Sequence, residues 1–180
     1  AMIIGVDFDN TLACYDGVFL DEAKRRGLID ESFYGPKKEV RDSIRLLPDG
    51  ETEWQTLQGI VYGHRMLEAD IFEGVAKFFK HCACEGVPLF IVSQKTRTNL
   101  YDPQKADLRQ QARAWMHQQN FFDSDGLGFI SNNLYFEDDR IKKVDRIAQI
   151  GITHFVDDLL EVFEEPRFPP ATEKILFATE

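Results

Sequence analysis

The fold of this chain is decided by the stretch Ile3-Ile4-Gly5-Val6-Asp7-Phe8-Asp9-Asn10-Thr11, an apolar strand that ends in two carboxylates and a hydroxyl. Side chains alternate between the two faces of a strand, so Asp7 and Asp9 should leave it on the same side. Two carboxylates aimed at one spot need a cation or a shared proton, which indicates a divalent metal site. A polar strand-to-loop junction gives the same pattern, so the metal hypothesis depends on partners elsewhere in the chain.

Length and composition set limits on the fold and on the partners. A chain of 180 residues with 43% hydrophobic residues can build one domain with a buried core and a modest insertion. The net charge of −10 argues against a nucleic-acid polymer or an anionic membrane as the main partner, because both favour basic surfaces. Small anionic substrates are compatible with this net charge, because a metal and a few local cations can make the electrostatic potential inside a cleft positive. Oligomeric state stays open.

The sequence has no run of about 18 apolar residues and no basic-then-apolar leader. We therefore expect a cytoplasmic protein. Cys14, Cys82 and Cys84 lack the spacing and the histidine partners of a zinc site, so we interpret them as reduced thiols, with metal binding by Cys82 and Cys84 as the alternative.

Helical patterns and strand patterns occupy different parts of the chain. Residues 14–70 show short helical patterns interrupted by glycine and proline, the best of them over residues 51–67. We expect this segment to be an all-helical cap insertion, and residues 1–13 and 71–180 to form the core. In the core we expect further strands over residues 87–93, 128–131, 134–136, 152–156 and 174–178, with helices starting at residues 75, 103 and 143 between them.

Strands that alternate with helices predict an α/β fold, a three-layer Rossmann-like parallel sheet with helices on both faces. In such sheets ligands bind beyond the carboxyl ends of the strands. Three of the predicted strands end in polar groups at that edge, namely Asp7, Asp9 and Thr11 after the first, Ser93 after the second, and Asp157-Asp158 after a later one. This convergence favours a functional site over a merely solvated edge.

The residue types at this edge suit phosphoryl transfer. Acidic clusters on separate strands can hold one Mg²⁺, which prefers oxygen ligands and keeps waters that a phosphate can replace. An aspartate can attack the phosphorus when a cation screens the repulsion between the two anions. Lys142 or Lys143 could supply that cation, and we prefer Lys143 because the apolar stripe of its helix follows it in phase.

DFDNT, the strand-end serine of IVS, a downstream lysine and an apolar strand that ends in DD together resemble the haloacid dehalogenase-like (HAD) hydrolase superfamily. The resemblance runs from Ile3 to Asp158 with the motifs in the expected order. It implies a phosphatase, because phosphatases of this superfamily carry aspartate two residues after the nucleophile and its dehalogenases normally do not. The cap resembles the helical insertions that follow the first motif in this superfamily and close over the site.

The resemblance also implies roles for individual residues. Asp7 would be the nucleophile and Asp9 the general acid and base, with both on the metal, Asp9 through its main-chain carbonyl. Thr11, Ser93 and Lys143 would bind the transferring phosphoryl group. Asp158 would be a further metal ligand, and Asp157 would lie either beside it or behind the metal ligands.

The sequence thus predicts a Mg²⁺-dependent phosphatase that acts on a small phosphorylated metabolite through an aspartyl-phosphate. Two alternatives remain: a nucleotidase, in which Trp54 and Tyr62 stack on a base, and a non-catalytic phosphate-binding protein of the same fold. Lys95 and Arg97 follow Ser93 and could contact the leaving portion of the substrate, although a solvated loop fits them equally well. Other candidate substrate contacts, for which packing is the competing interpretation, are Gln58, His64 and Arg65.

Overall fold

A computed structural model describes residues 1–178 and contains a five-stranded parallel sheet. The strands of this sheet are β1 Ile4–Val6, β4 Leu89–Gln94, β5 Leu134–Glu137, β6 His154–Asp157 and β7 Glu173–Leu176. Their order is β5-β4-β1-β6-β7, which puts β1 at the centre. Two short strands, β2 Ala13–Cys14 and β3 Asp70–Ile71, pair separately. The predicted parallel α/β sheet is confirmed, except that residues 128–131 form no strand.

The chain divides into two compact units. The first unit holds residues 1–13, 71–96 and the chain from 116 onward, and it contains the five-stranded sheet. The second unit holds residues 14–70 and 97–115. Residues 97–115 therefore group with the segment that we expected to be the cap, whereas the sequence analysis assigned them to the core.

Seven α-helices lie within the described residues, and several begin or end away from their expected positions. They are α1 Asp16–Arg25, α2 Lys37–Arg45, α3 Gly50–Gly59, α4 Val75–Glu85, α5 Leu108–Gln118, α6 Arg140–Ile150 and α7 Leu160–Phe163. The helix expected over residues 51–67 changes to a π-helical turn at Ile60–His64. The helix expected at Asp102-Pro103 begins at Leu108, because Asp102 accepts hydrogen bonds from the main-chain N–H groups of Gln104 and Ala106 in a turn.

Helices cover both faces of the sheet in the first unit. On one face, α6 and α7 pack against the strands through a buried cluster that includes Val92, Val144 and Phe155. On the other face, α4 contributes Val75 and Phe79, which lie near Val6 and Val156 around a cavity of about 290 Å³. A continuous apolar run is what a strand buried on both faces requires, and this explains the composition of β1 and β4.

Gly5 is required at the centre of β1. A Cβ atom there would lie 2.5 Å from Ile152 Cδ1 and 2.8 Å from Phe155 Cδ1, which is closer than packed carbon atoms tolerate. A side chain at position 5 would therefore force Ile152 or Phe155 to move. The chain continues two residues later into Asp7.

The second unit has its own aromatic core. Trp54 is 1% exposed and stacks on Phe19 with a 4.8 Å separation between ring centroids. The hydroxyl of Tyr62 accepts a hydrogen bond from Lys37 Nζ over 2.9 Å, and its ring meets that of Tyr15 edge to face. Trp54 is thus a packing residue, and its buried ring is not available to stack on a nucleotide base.

None of the helices in the described part of the chain combines the length and the apolarity needed to cross a bilayer.

Candidate active site

Asp7 leaves the central strand directly beside Asp157. Val6 in β1 pairs with Val156 in β6, so the next residue of each strand lies at the same level of the sheet. The main-chain N–H of Asp7 donates to the carbonyl of Val156 over 2.9 Å, which extends this pairing past the end of β1. Parallel pairing therefore brings two carboxylates, separated by most of the chain, to one edge of the sheet.

Lys143 lies between these two carboxylates. Its Nζ donates to Asp7 Oδ1 and to Asp157 Oδ2, each over 2.8 Å. Burial disfavours the ammonium form, but the charges of Asp7 and Asp157 outweigh burial and raise the pKa of Lys143. The side chain therefore remains a cation inside the site.

Lys142 and Lys143 have different surroundings. Helix α6 begins at Arg140 rather than at Lys143, and the Asp139 side chain caps it by accepting from the main-chain N–H of Lys142 over 2.8 Å. Lys143 then lies on the buried face with Val144 and Ile147, whereas the Lys142 side chain is 58% exposed and its Nζ lies 3.6 Å from Asp138. The structure brings Lys143, and not Lys142, to Asp7.

A group of three carboxylates forms the acidic part of the site. Asp7, Asp157 and Asp158 each offer one oxygen atom, and these atoms lie within 4.8 Å of one another. Burial, reinforced by the negative charge of Asp7, raises the pKa of Asp158 to about 8 and that of Asp157 to about 6. Crowded carboxylates hold protons more tightly, and Lys143 offsets the charges of Asp7 and Asp157, so these three side chains could hold a metal ion together with that lysine.

The two neighbouring aspartates make different contacts. Asp157 is fully buried, and its oxygens are engaged by Lys143 and by the main-chain N–H of Leu159, which donates over 3.0 Å. Asp158 is partly exposed, and its Oδ1 accepts a hydrogen bond from the Thr11 hydroxyl over 3.2 Å. Of the pair, Asp158 has the more accessible oxygen atoms for a ligand, while Asp157 holds Lys143.

Thr11 reaches the site through a tight turn. The main-chain N–H of Thr11 donates to the carbonyl of Phe8 over 3.3 Å, and Asn10 adopts the left-handed conformation with φ 63°. Asparagine tolerates this conformation better than most residues. The turn brings the buried Thr11 hydroxyl to 3.2 Å from Asp158 Oδ1 and 3.5 Å from Asp7 Oδ2.

Ser93 is buried at the end of β4, the strand next to β1. It pairs in register with Phe136 of β5. In the described residues its hydroxyl makes no hydrogen bond to Asp7, Asp157 or Asp158. The structure thus places Ser93 on the strand adjacent to the site but does not join it to the acidic group.

Within the described residues the group of three carboxylates does not include Asp9, whose carboxylate pairs with Lys95. The Nζ of Lys95 lies 2.9 Å from Asp9 Oδ2 and 3.1 Å from Asp9 Oδ1, and the Lys95 side chain is only 2% exposed. β1 ends at Val6, so Asp7 and Asp9 both lie beyond the strand, and the expectation that they aim at one spot stays a prediction. The sequence analysis gave Lys95 as a candidate contact of the leaving portion of the substrate or as a solvated loop residue, and it did not predict the contact with Asp9. The available signal was its position two residues after the strand-end serine.

Comparisons with known proteins agree with this architecture. The chain superposes on a haloacid dehalogenase-like family hydrolase from Streptococcus pneumoniae with a TM-score of 0.61, at 13% identity over 98% of this chain and 84% of that one. A family IA HAD hydrolase from Entamoeba histolytica gives a TM-score of 0.58 at 12% identity, over 100% of this chain and 85% of the other.

A HAD family hydrolase from Deinococcus radiodurans, solved with bound phosphate and sodium, gives a TM-score of 0.52 at 14% identity over 98% and 90% of the two chains. No protein-family model and no curated protein matches the sequence. The structural similarities show the fold.

Proposed function

We propose that this chain, which has the fold of the HAD hydrolases, is a Mg²⁺-dependent phosphatase that hydrolyses a small phosphorylated metabolite through an aspartyl-phosphate on Asp7. The observation that carries the proposal is the contact of buried Lys143 with Asp7, in a site that also holds Asp157 and Asp158. A carboxylate becomes a usable nucleophile toward a phosphate when a neighbouring cation offsets the repulsion between the two anions.

The donor set of the site fits a magnesium ion. Asp7 and Asp158 supply hard carboxylate oxygens, and the raised pKa of Asp158 reflects burial and a nearby negative charge, which a divalent cation would offset. Asp7, Asp158 and the main-chain carbonyl of Asp9 would hold the ion. Asp157 would support them by its contact with Lys143. When bound, the ion would neutralise charge on the phosphate oxygens. The Deinococcus radiodurans hydrolase of this fold was solved with bound phosphate and sodium, which supports binding of an anion and a cation by a protein of this fold.

The residues of the chain account for both halves of the reaction. In the first half, a carboxylate oxygen of Asp7 forms a bond to phosphorus, the ester P–O bond breaks, and Asp9 gives a proton to the departing alkoxide. In the second half, Asp9 takes a proton from a water molecule that attacks the phosphoryl group, and the bond from phosphorus to Asp7 breaks. The products are an alcohol and inorganic phosphate, and Asp7 and Asp9 return to their starting states.

Three side chains support these two aspartates. Lys143 holds Asp7 Oδ1 and offsets the negative charge that accumulates as the phosphate approaches. The Thr11 hydroxyl lies near both Asp7 and Asp158, where it can donate to a phosphate oxygen. We assign the hydroxyl of Ser93 to the same task.

The test is hydrolysis of p-nitrophenyl phosphate and of a panel of small phosphate monoesters, with Mg²⁺ and with EDTA. We expect turnover with Mg²⁺ only, and its loss in Asp7→Asn. An Asp125→Asn variant, which changes an exposed carboxylate of the same unit, is the matched control. Acid quenching followed by mass spectrometry should find phosphate on the Asp7 peptide. Full activity in Asp7→Asn would overturn the mechanism, and Mg²⁺ binding without turnover of any ester would favour a non-catalytic protein.

A further inference from the structure

Lys95 is a buried cation that the reaction described above does not use. It follows β4 directly, and its main-chain N–H donates to the carbonyl of Glu137 over 2.8 Å, so its backbone is anchored to β5. Its side chain is 2% exposed, and its Nζ lies 5.6 Å from the centroid of the buried Phe8 ring. Lysine is rarely buried unless its charge is paired.

The partner of this cation is the carboxylate of Asp9. Both carboxylate oxygens lie within hydrogen-bond distance of Lys95 Nζ, at 2.9 and 3.1 Å. The Asp9 side chain is 19% exposed, so it remains partly open to a ligand while the lysine is enclosed. An ammonium group that contacts both oxygens restricts rotation of the carboxylate about its side-chain bonds.

We propose that Lys95 is a positioning residue that holds the Asp9 carboxylate in the orientation from which it transfers protons. This inference rests on the proposed function, in which Asp9 protonates the leaving alkoxide. Proton transfer requires the acid within hydrogen-bond distance of the leaving oxygen, and a displacement of about 1 Å can lower the rate about 100-fold. A buried ion pair is by itself weak evidence for a role in stability, and the contact of Lys95 Nζ with both Asp9 oxygens favours orientation of Asp9 as the function of the pair.

The dependence of the rate on the leaving group separates positioning from the other roles that Lys95 could have. A p-nitrophenolate ion departs without a proton, whereas an alkoxide needs one. Loss of a correctly placed acid therefore slows the hydrolysis of alkyl phosphates and affects p-nitrophenyl phosphate little. Loss of a phosphate-binding cation, or a general loss of folded protein, lowers the rates for all esters alike. The value of kcat/KM is the proper measure, because it reports the steps up to departure of the leaving group.

The experiment compares the parent with Lys95→Met, Lys95→Arg and Lys80→Met on p-nitrophenyl phosphate and a series of alkyl phosphates. Lys80 is an exposed lysine of the same unit and serves as the control. For Lys95→Met we expect kcat/KM to fall about 100-fold on alkyl phosphates and by less than about threefold on p-nitrophenyl phosphate. Lys95→Arg, which keeps a cation beside Asp9, should recover part of the loss on alkyl phosphates.

In Lys95→Met the Asp9 carboxylate loses its cation, so this variant needs a control for misfolding. A double variant provides that control. Asp9→Asn combined with Lys95→Met removes both charges. If Lys95 acts through Asp9, the double variant should match Asp9→Asn alone on alkyl phosphates within about threefold. An equal loss on all esters in Lys95→Met, or a further large loss in the double variant, would overturn this inference and leave the phosphatase proposal intact. A parent that hydrolyses no phosphate ester would overturn both.

Discussion

Lys143 Nζ donates to Asp7 Oδ1 over 2.8 Å, although the two residues are 136 positions apart in the sequence. One comes from the first turn of α6 and the other from the end of the central strand. The contact exists because β1 and β6 pair in parallel and α6 packs against the sheet through Val144 and Ile147, which follow Lys143 in the sequence of the helix. The parallel sheet therefore brings a nucleophile candidate and its cation together.

Removal of this cation should destabilise the protein. We expect Lys143→Met to lower the free energy of unfolding by about 3 kcal/mol, because Asp7 and Asp157 would remain buried without their partner. Lys142→Met, one residue earlier on the exposed side, should change it by less than about 0.5 kcal/mol. Urea unfolding followed by circular dichroism measures both. Equal effects of the two substitutions would contradict the assignment of Lys143.

Binding of Mg²⁺ should displace a proton. The pKa of Asp158 is raised to about 8 from 3.8, so below about pH 8 this carboxyl is protonated in the metal-free protein. Affinity for Mg²⁺ should therefore be weaker at about pH 6 than at about pH 8.5. Isothermal titration in two buffers of different ionisation enthalpy measures the released proton, and a binding enthalpy that is the same in both would contradict the prediction.

The raised pKa values of Asp157 and Asp158 also predict how the stability of the metal-free protein changes with pH. A carboxyl with a raised pKa in the folded state contributes stability below its unfolded pKa of 3.8 and loses it as the pH rises through its folded pKa. Asp157, with a pKa raised to about 6, acts in the same direction. In EDTA the contribution of both groups to the midpoint temperature of thermal unfolding should decrease as the pH rises from about 4 to about 8. Mg²⁺ should make this decrease smaller.

The sequence was sufficient for most of the sheet, apart from the strand expected over residues 128–131, because its signals are local. Apolar runs that end in Asp7, Ser93 and Asp157 predicted the strands, and parallel pairing then predicted that their ends would meet. Parts of the site could not be predicted, because side-chain partners depend on distant packing. The Lys95 contact with Asp9 joins residues that follow two neighbouring strands, and nothing in the local sequence around Lys95 indicates that partner.

The predicted first residue of a helix was wrong where a polar side chain had two possible roles. Asp102 before proline matches the start of a helix, but it instead closes a turn and contacts His64 in the second unit. The sequence analysis expected a helix that starts at residue 143, yet the side chain of Asp139 caps α6 and the helix begins at Arg140. Both patterns are compatible with either role until the packing of the neighbouring residues is known.

Trp54 should matter for stability and not for substrate choice. It is 1% exposed and stacked on Phe19, so Trp54→Ala should leave a cavity that costs about 3 kcal/mol of unfolding free energy. Tyr34→Ala, at a side chain that is 89% exposed in the same unit, is the control and should have little effect. The ratio of kcat/KM for nucleoside monophosphates to that for other phosphate monoesters should not change. A selective loss on nucleotides would restore the nucleotidase hypothesis.

Asp157 and Asp158 should respond in opposite ways to the same substitution. Asp157→Asn leaves one accepting oxygen where two now accept hydrogen bonds from Lys143 Nζ and from the Leu159 N–H, so unfolding free energy should fall by about 1 kcal/mol or more. Asp158→Asn removes a carboxylate that is crowded by Asp7, so the metal-free protein should become more stable above about pH 8, where the parent carries that charge.

Metal binding should separate the two variants further. Because Asp158 has the more accessible oxygens, Asp158→Asn should abolish the increase in unfolding temperature that Mg²⁺ produces. Asp157→Asn should keep part of that increase, because its side chain contacts Lys143 and the main-chain N–H of Leu159. Thermal unfolding of both variants with Mg²⁺ and with EDTA measures the difference. A complete loss of the Mg²⁺ effect in Asp157→Asn, with its retention in Asp158→Asn, would reverse the roles given to the two aspartates.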